Sequence, residues 1–495
     1  MKGRRRAALL ALALALPAHA YEPSATDDPP GKTRVFVLSD MGNEPDDQMS
    51  FVRLLLYSNE LDLEGLCATT STWQKDKVQP ETMRAIVRAY GEARPNLLKH
   101  ADGWPEAAVL EARVTSGPAL YGMAAVGNGQ TSPGADSLLR AAERDDPRPL
   151  WITAWGGANT LAQALERARA TRTRAALDAL VARLRVYSIS DQDDAGPWIR
   201  REFPSLFYVV KPSSPNGEEY ASATWTGISG DAYYRNGDGA DSTTVTNEWL
   251  DAHVRGKGPL GRYYPKFAFI MEGDTPAFLG LTDNGLASRR NPSWGGWGGR
   301  YVYRQPYGET RPIWTQGGDL FARVTSQDHV VGVDGRERVS DQATIWRWRT
   351  AFQHDLAARM DWTVAPFERA NHAPGVTVNG VAGTEPLLLE ATVGAPLVLD
   401  AAGTRDRDGH ALSYRWLHYE EAGFVPGVRL AALTIDGADG PRATVTPTAA
   451  CRPNWLPLGP PCTNGVAHVI LAVTDDGAPS LTSYRRVVLN VRAAR

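Results

Sequence analysis

Four carboxylates fall within eight residues, at Asp40, Glu44, Asp46 and Asp47, in the stretch RVFVLSDMGNEPDDQMSFVRLLLY that begins at Arg34. Like charges at this spacing repel one another, so something must neutralise them. A hard divalent cation does so through oxygen ligands. The run after Pro45 reads as a helix, and its N-terminal end adds a smaller favourable field. Capping that helix accounts for one aspartate but not for Asp40 as well. The cluster therefore predicts a metal centre, with Ca2+ as the expected ion and Mg2+ as its competitor. The chemistry such a centre serves is activation of a water, with a carboxylate as general base.

The element that must position these groups is the apolar run VFVL just before them. Further strand candidates are LEGLCAT, PLWITAW, LRVYSIS, LFYVV and FAFIM. Between them lie the helical patterns DQMSFVRLLLYS, PETMRAIVRAYGEA and NTLAQALERARA, and a final helix is expected in DQATIWRWRTAFQHDLAARM. This alternation predicts an α/β class, a mainly parallel sheet with helices on both faces. Right-handed crossovers bring the strand C-termini to one edge, where ligands bind. Asp40 sits at such a strand end. From residue 366 the texture changes to short alternating strands, among them PLVLDAAGT, LSYRWLHYE, ATVTPT, AHVILAVTDD and SYRRVVLNV. They predict an all-β Ig-like sandwich. Its segment TRDRDGHALSYRW resembles the Asp-rich turn of PKD and cadherin-like modules. Asp406 and Asp408 read there as a turn held by Asx hydrogen bonds, with Ca2+ as the alternative.

A chain of 495 residues implies two or three domains. MKGRRRAALLALALALPAHA has the layout of a secretory signal peptide, and its apolar run is short for a membrane span. The expected division is 1–20 signal peptide, 21–365 α/β domain and 366–495 sandwich. Cleavage after Ala20 takes the formal charge from -3 to -7. That argues against nucleic acid as a partner, and no later segment reads as transmembrane. The expected location is periplasmic or secreted. In an oxidising compartment Cys451 and Cys462 are expected to pair, and Cys67 reads as a buried thiol. The histidines show no metal-ligand spacing, and there is no phosphate-binding Gly loop or G-x-S-x-G elbow.

SDMGNEPDD is similar to the signature of nucleoside hydrolases. TTSTWQKD, WGGANTLAQAL, YSISDQDDAGPWIR, IMEGDTPAFLGL and WGGWGGRY follow it in order. Together they resemble a secreted bacterial family that joins a nucleoside hydrolase-like domain to a C-terminal Ig-like domain, some of whose members are named cellulose-binding proteins. The resemblance implies Asp40 as general base and metal contact, Asp47 as bidentate Ca2+ ligand, and Asp46 as the contact to sugar hydroxyls and the attacking water. It implies a backbone carbonyl ligand at Asn159 and a last ligand at Asp274. Thr72 falls where the family binds sugar through an Asn, with Trp73 near the pocket mouth. Asp191, Gln192, Asp193 and Asp194 fall in the segment that closes the sugar pocket. Three departures stand out. Leu38 replaces the first Asp, the spacing from Asp40 to Asp46 is two residues longer, and Gly273 stands in place of a His that serves the leaving group in one branch of nucleoside hydrolases.

The expectation is therefore a secreted Ca2+-dependent glycosidase, inverting and acting on a saccharide. A periplasmic nucleoside hydrolase and a non-catalytic carbohydrate-binding protein are the alternatives. The proton donor is open among Glu44, Asp193 and Glu272, the last equally readable as a strand-end carboxylate. Trp294, Trp297 and Tyr301, in PSWGGWGGRYVYR, read either as a saccharide-stacking subsite or as filling of the interface with the sandwich. The oligomeric state is open.

Overall fold

The computed structural model describes residue 29 and residues 31–214, 219–230, 233–317, 326–425, 428–452 and 462–494. The expected signal peptide lies outside the described residues. Among these residues no helix is long and apolar enough to cross a membrane.

Eight strands form the first sheet: β1 (Thr33–Ser39), β2 (Leu61–Ala68), β3 (Val114–Ser116), β4 (Leu150–Ala154), β5 (Leu184–Ser188), β6 (Phe207–Val209), β7 (Val302–Arg304) and β8 (Ile313–Thr315). Their order is β3-β2-β1-β4-β5-β6-β8-β7, parallel throughout except for β7, which runs antiparallel to β8. Alternate residues of β1 serve opposite faces. Val35 and Val37 join one hydrophobic cluster, while Phe36 and Leu38 join the other. A strand buried on both faces reads as a continuous apolar run, which is why VFVL is legible.

Strand β1 pairs with β2 on one side and β4 on the other, so the chain order reverses there. Ser39 is level with Ala68, and Leu38 with Ala154, which is level with Ser188. The loops after β1, β2, β4 and β5 therefore open onto one edge at the switch point, where this class of sheet binds ligands.

Two elements differ from expectation. FAFIM forms no strand. The backbone N–H of Met271 donates to the Ser229 hydroxyl, whose own O–H donates to the Met271 carbonyl, so a side chain satisfies what a neighbouring strand would. The place beside β6 goes to β8, through Val209 and Trp314. The expected last helix is broken into Ala343–Trp346 and Arg349–Trp362.

The C-terminal part is a two-sheet sandwich. One sheet has the order Leu387–Thr392, Thr482–Arg492, Asn464–Asp475, Leu412–His418; the other has Leu397–Asp400, Arg442–Ala449, Ala432–Asp436. All pairs are antiparallel except Leu387–Thr392 with Thr482–Arg492. Val469, Leu471, Val487 and Leu489 fill the space between the sheets. Cys451 and Cys462 form a disulfide, with Cα atoms 6.0 Å apart. Cys67 is buried, and burial pushes its thiol up to about 12.

The two parts share a packed joint. Trp348 meets Tyr419 and Tyr484 edge-on, with ring centroids 5.9 and 5.4 Å apart. Arg486 donates to the carbonyls of Leu286, Trp294 and Gly295. A Cβ on Gly295 (φ 72°) would lie 2.3 Å from the Tyr419 hydroxyl, so only glycine fits there.

Candidate functional site

Asp40 leaves the end of β1 into the turn that starts α1 (Pro45–Leu55). Its backbone carbonyl accepts from the N–H of Asn43 at 3.3 Å and from Gln74 Nε2, in the loop after β2, at 3.2 Å. Pro45 opens α1, a position where its missing N–H and fixed φ suit a helix start. Asp46 and Asp47 follow in the first turn, facing the positive end of the helix dipole. Ser39 Oγ donates to Asp47.

Asp274 reaches the same point from a loop 227 residues farther along the chain. The carboxylates of Asp46, Asp47 and Asp274 offer oxygens that all lie within 4.8 Å of one another. Asp40, Asp47 and Asp274 are buried. Among the described residues no Lys, Arg or His forms an ion pair with any of the four. Asp274 Oδ2 is buried without a hydrogen-bond partner. Burial pushes Asp40, Asp47 and Asp274 above the usual carboxylate range, and for Asp47 and Asp274 the neighbouring acids add to it. Burial, then Glu44 and Asp40, lift Asp46 to about 8. An all-oxygen donor set, unpaired charge and an orphaned carboxylate oxygen fit a hard divalent cation.

The loop that presents Asp274 is anchored through Glu272. This residue has a left-handed φ of 56°. Its side chain is fully buried and forms an ion pair with Arg53 of α1 at 2.6 Å, and it accepts from the Tyr264 hydroxyl at 2.5 Å and Thr275 Oγ1 at 2.9 Å. Helix α1 thus carries two of the acids and grips the loop of the third. Gly273 packs directly on the cluster, where a Cβ would lie 2.7 Å from Asp46 Oδ2 and 3.1 Å from the Trp225 ring. Gly273, where the resemblance leads one to expect a His, has no room for a side chain unless Asp46 moves.

The acids form one wall of a cavity of about 310 Å³. Glu44, Asn43 and Gln192 also line it, and Trp73, Tyr220, Trp225, Tyr233, Tyr234 and Phe269 supply aromatic surface. Trp73, Tyr233 and Phe269 are 46, 55 and 46% exposed. Tyr233 and Phe269 meet edge-on at 5.4 Å. Gln192 Nε2 donates to the Trp155 carbonyl, and its Oε1 has no partner. Phe269 also lines a second cavity of about 370 Å³ with Ser242, Asn247 and Glu248. Apart from Trp73, none of these aromatics is singled out by the sequence. The signal available is their density in YASATWTG, AYYRN and KFAF, between recognisable elements.

Several expected site residues lie elsewhere. Asp191 makes a bidentate ion pair with Arg200, at 2.7 and 2.9 Å, and is buried. Asp193 accepts from the backbone N–H groups of Asn159 and Ala195, and Asp194 from that of Met123. Asn159 is fully buried at a helix start, its side chain donating to Thr70 Oγ1 and the Leu120 carbonyl. Thr72 is half-buried beside Trp73 and bonds with the Tyr121 hydroxyl. None of these lines the cavity. Glu272 does not line it either; it is fully buried against Arg53. Trp294 and Trp297, expected as substrate-binding, are 8 and 3% exposed and pack into the domain joint. Trp294 lies against His468 at 5.2 Å and under Arg486, and Trp297 lies against Phe352 and Tyr484. Of the two readings of that Gly-rich tract, the interface is the one found.

The solved structure of a nucleoside hydrolase-related hypothetical protein from Saccharophagus degradans, described as associated with carbohydrate metabolism, is similar to this chain at 35% identity. The match covers 93% of this chain and 100% of that one, with a TM-score of 0.76. A PKD domain from the KIAA 1837 protein (19% identity, TM-score 0.15, covering 22% of this chain and 81% of that one) is too distant to bear on the chain. So is the type III effector XopQ (10%, 0.30, covering 69% and 97%). No curated protein matches. Residues 396–491 match the model of the cellulose-binding protein Sde0182 C-terminal domain. Residues 34–301 match that of the nucleoside hydrolase-like domain of cellulose-binding Sde182, and the chain belongs to this family.

Proposed function

We propose that the protein is a divalent-cation-dependent hydrolase of a glycosidic bond in a saccharide, exported from the cytoplasm by its N-terminal signal. The observation that carries this reading is the trio Asp46, Asp47 and Asp274, with its orphaned oxygen, in the wall of an aromatic-lined cavity. A cation held by these three, Ca2+ by the preference of an all-oxygen set, would neutralise the acids and supply Lewis acidity to a bound water and sugar hydroxyls. Asp40 is the general base; its backbone carbonyl is held by Gln74 and the Asn43 N–H at the end of β1, and it lines the same cavity as the trio. Glu44 is the general acid. Of the three candidates it alone lines the cavity, and burial and then Asp40 raise it above the usual range, the direction that suits a proton donor. Base and acid acting in one displacement by water give inversion at the anomeric carbon.

Trp73, Tyr233 and Phe269 at the mouth offer flat faces for sugar rings. The second cavity beyond Phe269 favours a saccharide of more than one ring over a nucleoside, as does the lack of room at Gly273. The family name supports saccharide binding and leaves turnover to experiment. The test is to incubate the mature protein with Ca2+ or with chelator against panels of oligosaccharides and nucleosides, and to assay released reducing sugar. Chelator-sensitive release from an oligosaccharide supports the reading. Release from nucleosides alone, or binding without release, replaces it with one of the two alternatives.

A further inference from the structure

A second cluster lies in the sandwich, apart from the site above. Asp406 and His410 belong to the loop before the strand Leu412–His418, and Asp475 ends the strand Asn464–Asp475. Leu412 and Asp475 are paired across these strands, which brings the loop onto Asp475. One ligand atom from each of Asp406, His410 and Asp475 lies within 4.8 Å of the others.

The hydrogen bonds here are one-sided. Asp406 Oδ1 accepts from the N–H groups of Asp408 and His410, at 2.9 and 3.0 Å. Asp475 Oδ1 accepts from the N–H groups of Gly477 and Leu481 and from Asn371 Nδ2, at 2.9, 3.0 and 2.8 Å. Asp406 Oδ2, Asp475 Oδ2 and His410 Nδ1 are all buried and have no hydrogen-bond partner. His410 Nδ1 stands 3.7 Å from Asp406 Oδ1, too far for a hydrogen bond. The Asp406 side chain is 2% exposed and Asp475 is 3% exposed. One buried orphan atom is a cost to stability; three of them, on side chains whose ligand atoms lie within 4.8 Å of one another, are what a cation would satisfy.

We propose that Asp406, His410 and Asp475 bind a first-row divalent cation of the Zn2+ class. An imidazole nitrogen with two carboxylate oxygens suits such an ion, whereas Ca2+ takes oxygen ligands alone. Three protein ligands leave the fourth position of a tetrahedral ion for a water. The ion would lock the loop around Asp406 to the turn after Asp475. Those two segments hold the chain where it enters the sandwich: Asn371 is bonded to Asp475 and to the Pro479 carbonyl, and the His372 N–H donates to Asp408 Oδ2. The Asx turn expected at Asp406 is present, and it orients the free oxygen.

The test strips the full mature chain with chelator and dialyses it against Zn2+ in excess Ca2+, which saturates the acid cluster of the first domain. The wild type should retain one equivalent of Zn2+ more than His410→Ala. Equal stoichiometry in the two proteins overturns the proposal, and so does loss of that equivalent to Ca2+. Anomalous scattering from wild-type crystals grown with Zn2+ does not depend on the variant folding. A peak between the three side chains is expected, and its absence overturns the proposal.

Discussion

Asp274 is the residue on which the proposed cation site turns, because one of its oxygens is buried with nothing to bond. Replacing it by Asn removes a charge from a repelling group. In chelator, Asp274→Asn should therefore melt no lower than the wild type, and the rise in Tm that added Ca2+ gives the wild type should vanish. Differential scanning calorimetry checks both. Asp46 sets a pH dependence. Its folded value of about 8 lies above the ordinary carboxylate value, so its contribution to stability is full below about pH 4 and is lost as pH rises towards 8. Thermal unfolding of the chelated protein from pH 4 to 8 should show this loss, and Asp46→Asn should flatten it. Asp40, Asp46, Asp47 and Asp274 are legible in the sequence, the first three because acids crowded at the end of an apolar strand repel one another unless a cation joins them, and Asp274 through the family resemblance. The role of Glu272 is not legible, because its partner Arg53 lies 219 residues away and nothing local to either residue announces the pair.

At the level of elements, α1 does two jobs. Its first turn presents Asp46 and Asp47, and two turns later Arg53 holds the loop of Asp274. Glu272→Gln should leave Arg53 buried without its counter-charge and destabilise the fold by about 3–5 kcal/mol, as broken buried pairs do. The same change should weaken Ca2+ binding by loosening Asp274, and denaturant unfolding with calorimetric titration measures the two effects separately. Strands β1 and β4 are legible as continuous apolar runs, and β2 and β5 as apolar segments interrupted by Asp62 and Glu64 and by Arg185. FAFIM has the same composition and forms no strand, because Ser229 takes up the backbone groups of Met271 and no periodicity reveals it. The aromatic wall is hidden for a related reason. Tyr220, Trp225, Tyr233, Tyr234 and Phe269 sit in 3-10 turns and irregular chain, where neither a helical nor a strand repeat marks which face a side chain takes.

On the scale of the whole molecule, the joint between the domains settles what the sequence leaves open at Trp294 and Trp297. Aromatics among glycines look alike whether they face sugar or another domain, and the strand Thr482–Arg492 that covers them comes some 190 residues later. Asp328 is a second tie across this joint. It is fully buried, pairs with Arg300 and Arg347 at 2.8 Å each, and accepts from the Tyr419 hydroxyl of the sandwich at 2.7 Å. Burial alone would raise it, but Arg300 and Arg347 outweigh that and hold it below the usual range. Its stabilising effect is therefore present above the ordinary carboxylate value and is lost as pH falls through its own lower one. Tm measured from pH 7 down to pH 3 should fall steeply below about pH 4, and Asp328→Asn should start lower and fall less. In the proposed hydrolase a base at a strand end, acids on a helix and a loop, and an aromatic cavity closed by distant segments act together on one bond. Its most direct test compares Asp40→Asn with the wild type on the oligosaccharide that the panel identifies, measuring turnover and binding side by side. Asp40→Asn should lose kcat by about 10²–10⁴-fold with saccharide and Ca2+ affinity nearly unchanged. Turnover that survives in Asp40→Asn would contradict it.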